Sequence, residues 1–146
     1  MALDVTQLLA MTQAQLDDLF KGSPAGPIPN GPAKGTAIIA PGTVFSKDIA
    51  EAINVFTWQG KTFDAQHGVL TNRISVLGFN AIVAEVYAAP SWLDQQQCIV
   101  LDYSKTSIVA KWIRDEIRLI GPGFYLGVVY WDKTRLIHFC LEFETV

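Results

Sequence analysis

Apolar and polar positions alternate most regularly in the last third of the chain. There, residues 98–103, an amphipathic stretch at 107–120, and the runs 124–131 and 135–144 follow in close order. This order predicts strand, helix, strand, strand. The last two runs are β-branched and aromatic, and only Asp132, Lys133 and Thr134 separate them, so a hairpin is expected. Strict alternation then puts Ile137, Phe139, Leu141 and Phe143 on one apolar face, with Leu136, His138, Cys140 and Glu142 on a mixed face. In the preceding run Phe124, Leu126, Val128 and Tyr130 oppose Tyr125, Gly127, Val129 and Trp131, apolar on both sides. An antiparallel strand apolar on both faces implies a closed barrel covered outside by helix, or an internal cavity together with an oligomer interface. The cover is expected from a helix at 107–120, with Val109, Trp112 or Ile113, Ile117 and Ile120 turned to the sheet. Lys111, Arg114, Asp115 and Arg118 then face water, and Arg114, Asp115 and Glu116 read as ordinary solvated helix charges.

Upstream, Thr12 and Gln15 have capping-box spacing ahead of Leu16, Leu19 and Phe20, which predicts a short helix ending at Gly22. Residues 22–35 hold four prolines and four glycines, so they are expected as a connection that packs over one end of a barrel or runs as a mobile linker. A strand at 35–40, a helix at 46–54 capped by Ser46, extended chain at 56–63 and a strand at 80–87 stopped by Pro90 complete the pattern. The chain reads as one domain over 1–146, made of an N-terminal helical segment (1–22), a Pro/Gly-rich connection (23–34) and a barrel (35–146).

Half of the 146 residues are hydrophobic and 17% are charged, so the surplus apolar surface should line a cavity or an interface, a homodimer being one way to cover it. A net charge of −3 with scattered basic residues argues against a nucleic-acid partner, and no apolar run is long enough for a membrane helix. Asp4 stands where a secretory signal would carry Lys or Arg, so a cytoplasmic location is expected. Cys98 and Cys140 are then expected as buried reduced thiols. Neither they nor His67 and His138 have the spacing of a metal site, and no cofactor motif is present.

The order Gly35-Thr36-Ala37, a short helix, then Trp58-Gln-Gly-Lys-Thr-Phe63 resembles the small GXWXG domain, whose second motif is an aromatic residue followed by Gly-Lys-x-Phe. Val86-Tyr87-x-x-Pro90, Ile113-Arg-Asp-Glu116 and Tyr125-Leu-Gly-Val128 are similar to the domain of unknown function that commonly follows it. This chain has no tryptophan at 34–37, where the family's first one stands. The resemblance implies a mainly β (α+β) fold: an antiparallel lipocalin-like, or calycin-like, β-barrel with an N-terminal helix and two short helices packed outside. It implies no particular activity.

Polar groups set among apolar strands are the candidates for chemistry. Asp102 shares a strand face with Cys98 and Val100, so its carboxylate is expected to point inward, or else to end the strand in water and cap the chain beyond Ser104. His138 could carry a proton near neutral pH or be a satisfied structural histidine, and Tyr103 or Tyr130 could stabilise an oxyanion. Trp58, Tyr87, Trp112, Tyr130 and Trp131 could line a pocket for a flat apolar ligand or simply build the core. The leading expectation is a protein that binds a small apolar molecule inside a barrel. A cofactor-independent isomerase, cyclase or lyase using Asp102, His138 and Tyr103 is the alternative, and a structural or oligomeric module is the third.

Overall fold

The computed structural model describes residues 3–39, 58–74, 79–105 and 112–144. Strands β1 (Gly31–Ile38), β2 (Trp58–Asp64), β3 (Val69–Ile74), β4 (Phe79–Pro90), β5 (Gln97–Asp102), β6 (Ile113–Gly121), β7 (Phe124–Trp131) and β8 (Thr134–Phe143) follow one another around a closed antiparallel barrel. Pairing of β8 with β1, from Ala33 opposite Phe143 to Ile38 opposite His138, closes it and leaves no free sheet edge. The expected mainly β barrel with short helices outside is the observed architecture. The hairpin is present too, turning through Asp132 and Lys133, both at positive φ, with Thr134 already paired to Trp131.

Two expectations about β6 and β8 are corrected. Residues 113–120 are strand, not helix. Ile113, Ile117 and Ile120 suit a helical period, but Ile113, Ile117 and Leu119 suit a period of two equally well. Pairing with β5 and β7 decides for the strand, since without β6 the barrel would stand open along two edges. In β8 a bulge sets Leu136 and Ile137 together against Val129, so Leu136 joins Ile137 in the interior cluster instead of standing on the mixed face. The expected helix at 46–54 and the start of the one at 107–120 lie outside the described residues.

Apolar residues form two layers. The interior cluster includes Phe63, Leu70, Leu101, Tyr103, Ile113, Ile117, Val129, Phe139 and Leu141. The outer layer, with Cys98, Val100, Leu126, Val128, Tyr130 and Cys140, is covered by α1 (Val5–Leu9) and α2 (Gln13–Lys21) through Leu8, Leu16 and Phe20. The cover of the doubly apolar strands therefore comes from the N-terminus. Both helices start in capping boxes, Asp4 with Gln7 and Thr12 with Gln15. No helix among the described residues is long and apolar enough to cross a membrane.

The Pro/Gly-rich connection is shorter than the expected 23–34, because Gly31 to Lys34 already belong to β1 and pair with β2 or β8, and the part before them packs against one end of the barrel. The Leu119 amide donates to the Pro24 carbonyl at 2.9 Å, the Tyr125 hydroxyl donates to the Pro27 carbonyl at 2.7 Å, and Ile28 packs against the interior cluster. Gly26 (φ 72°) passes so close to Leu119 that a Cβ would lie 2.6 Å from it. Edge-to-face contacts of Phe143 with Phe63 and with Tyr125 fill that end.

Candidate functional site

Three polar side chains meet inside the barrel. Lys61 on β2, Tyr103 just beyond β5 and Asp115 on β6 are all buried, with exposures of 1%, 0% and 1%. The period of two places them there. Lys61 shares a face with Phe63, Tyr103 follows Ile99 and Leu101, and Asp115 stands between Ile113 and Ile117, opposite Leu101 and Val129. Lys61 Nζ donates to Tyr103 Oη at 2.9 Å, and Tyr103 Oη donates a longer bond to Asp115 Oδ2 at 3.4 Å. The ammonium and the carboxylate are 3.7 Å apart. Lys61 Nζ also lies 5.9 Å from the centre of the Phe139 ring. Phe139 in turn packs closely against Gly127, where a Cβ would come within 2.2 Å of the ring.

Burial disfavours both charges. It lowers the Lys61 ammonium to about 8 against the pull of Asp115, and raises the Asp115 carboxyl to about 6 against the pull of Lys61. Asp115 Oδ1 is buried with no hydrogen-bond partner among the described residues. An acceptor in that condition costs about 1–3 kcal/mol, and more when charged.

The outer face is also rich in charge, but its groups are satisfied. Glu116 accepts from Ser91 Oγ at 2.5 Å, from the Trp92 amide at 2.8 Å and from Arg114 at 3.0 and 3.1 Å. Arg118 spends all five N–H donors on Asp94 and on the carbonyls of Phe20, Gln96 and Gln97. These residues, expected as a solvated helix surface, instead fasten α2 and the 91–97 connection to the barrel. A surface cleft of about 290 Å³ opens beside them between Trp92, Trp112, Asp102 and Lys133.

Most candidates named from the sequence lie on this outer side. Asp102 does not point inward. It accepts from Tyr87 Oη at 2.8 Å and from the amide and hydroxyl of Ser104 at 2.9 and 2.6 Å. Partial burial opposes its ionisation, but these bonds and Arg114 outweigh it and hold the carboxyl below the usual range. His138 faces α2, with Nε2 2.9 Å from Asp17 Oδ1, and burial pushes its imidazole down. Tyr130 meets Trp92 edge to face on the outer side, and Trp112 is 52% exposed. Trp131 packs against the interior cluster, and Trp58 is the first residue of β2. Only Tyr103 joins the interior polar group. Its partners, Lys61 and Asp115, were not among the candidates. The signal for both was a charged residue in step with an apolar strand face.

No protein-family description matches the chain, and no curated protein does. A crystal structure of a protein from Thermomonospora curvata is similar, with a TM-score of 0.66 over 93% of this chain and 90% of that one, at 16% identity. That likeness is one of fold. Among the described residues no three His, Cys, Asp or Glu side chains converge as a metal site would require.

Proposed function

We propose that the barrel binds a small, mostly apolar molecule whose polar end is received by Lys61, Tyr103 and Asp115. The support is the buried Asp115 Oδ1, an acceptor left without a partner among the described residues and set between Ile113 and Ile117 of the apolar interior cluster. A ligand hydroxyl or amine would supply the missing donor, and a ligand carbonyl could accept from Lys61 or Tyr103. The GXWXG-like stretch contributes to this reading, since its Lys61 and Phe63 are both buried on the interior side. Proton-transfer chemistry on such a molecule, as in a cofactor-independent isomerase or lyase, is the second reading. It is favoured by the shifts of Asp115 upward and Lys61 downward toward neutrality.

Tryptophan fluorescence titrations with fatty acids, terpenoids, polyketide-like aromatics and porphyrins test the binding reading. At least one class should give a saturable response. Tyr103→Phe should weaken it by up to about tenfold, the loss expected for one neutral hydrogen bond. His138→Ala, a change beneath α2, should leave the affinity unaltered. No saturable response from any class would overturn the proposal.

A further inference from the structure

We propose that the interior site takes a small apolar aldehyde or ketone and holds it through a reversible imine to Lys61 Nζ, an inference that rests on the interior-site reading above. The geometry supplies the parts that this condensation needs. The amine sits among apolar walls, with a phenol 2.9 Å and a carboxylate 3.7 Å from Nζ. Nζ, as the free amine, adds its lone pair to the carbonyl carbon, and its surplus proton passes by way of Asp115 to the former carbonyl oxygen, giving a neutral carbinolamine. Tyr103 or protonated Asp115 then protonates that hydroxyl. The C–O bond breaks, water leaves, and the nitrogen lone pair completes the C=N bond. One carbonyl compound and one amine give one imine and one water, with no change of oxidation state.

Asp115 Oδ1, buried with no hydrogen-bond partner among the described residues, is free to accept from the carbinolamine hydroxyl or the departing water, and the carboxylate, with Oδ2 3.7 Å from Nζ, balances the charge of a protonated imine. Apolar neighbours among the described residues, Phe63, Leu101, Val129 and Phe139, suit an apolar remainder of the molecule. Burial also readies the amine. With the lysine lowered to about 8, more of Nζ is unprotonated at pH 7 than in an exposed lysine.

Hexanal, cinnamaldehyde and citral, each incubated at pH 7 with the intact chain and sodium cyanoborohydride, test the inference by intact mass and peptide mapping. The expected product is one adduct per chain at Lys61, one oxygen atom lighter than the aldehyde added. It should form ahead of any adduct at a surface lysine, since burial favours the unprotonated amine. Lys61→Arg keeps the positive charge and should abolish the adduct. If that variant fails to fold, mapping of the wild-type adduct still decides the site. Labelling spread over surface lysines with Lys61 unmodified would overturn the imine. If the same aldehydes quench tryptophan fluorescence saturably without labelling Lys61, the interior-site reading stands and the imine alone falls. If they neither bind nor label, while another class in the fluorescence panel binds, the imine again falls alone. With no binder of any class, both fall.

Discussion

A lysine and an aspartate facing one another while buried stabilise a fold less than their charges suggest. The desolvation of both ions offsets most of their attraction, and removing either one strands the other. Lys61→Met or Asp115→Leu alone is therefore expected to cost about 3–5 kcal/mol in urea unfolding. The double variant should fall between unchanged and about 4 kcal/mol more stable than the parent. Simple addition of the two single losses would contradict this coupling. The dependence on pH follows from the shifts. Lys61 is lowered from 10.5 to about 8, so between those values the unfolded chain holds a proton that the folded chain has released, and stability rises with pH. Asp115 is raised from 3.8 to about 6, so across that interval the folded chain holds the extra proton, and stability rises as pH falls. The stability advantage of the double variant over the parent should accordingly be greatest between about pH 6 and 8. A residue pair kept at such a disadvantage at neutral pH is what a binding or proton-transfer site would require.

Among the elements, α2 packs over a buried histidine whose protonation should lower stability. Asp17 on that helix receives both Arg135 and His138 of β8. Burial lowers the imidazole below 6.5 more than Asp17 raises it. The unfolded chain therefore takes up a proton first, and this contribution to stability is whole above about pH 6.5 and declines as pH falls toward the lower folded value. His138→Asn should make the loss of stability between pH 6.5 and 5 shallower than in the parent, as followed by thermal unfolding. An unchanged pH profile would remove His138 from the explanation. Arg118 holds the other side of α2, through the Phe20 carbonyl at its C-terminal turn and a cation–π contact with the Phe20 ring.

For the whole molecule, the sequence disclosed the barrel better than its contents. Two-sided apolar strands at 124–131 and 135–143 pointed to a closed barrel covered by helix or to a cavity with an oligomer interface, and the first of these stands there. The cover was assigned to the wrong segment, because Asp115 interrupts the apolar line of β6 at its centre and makes a helical period look as good as a period of two. The same buried charge that marks the site thus disguised the strand that carries it. Lys61 is hard to read from the sequence for a related reason, since a lone lysine beside Thr62 has the pattern of a solvated strand. Asp102 and His138 were drawn into the candidate site by alternation alone, which tells two faces apart but does not say which is inside. The thiols offer an independent check on the two layers. Burial pushes Cys98 up to about 12 and Cys140 to about 11 beneath the N-terminal helices. Iodoacetamide should label neither in the native protein and both after denaturation without reductant. A mass two hydrogens short would show a disulfide instead.

Carbon-13 NMR of the Asp115 side-chain carboxyl, followed from pH 3 to 9 with and without the tightest ligand of the fluorescence panel, probes the interior site at the atom on which it depends. The titration midpoint should lie near 6, well above the exposed carboxylates of the same protein, and should move when the ligand is bound. A midpoint near 3.8 that is indifferent to ligand would mean that Asp115 is solvated and receives nothing, and the interior site would have to be abandoned.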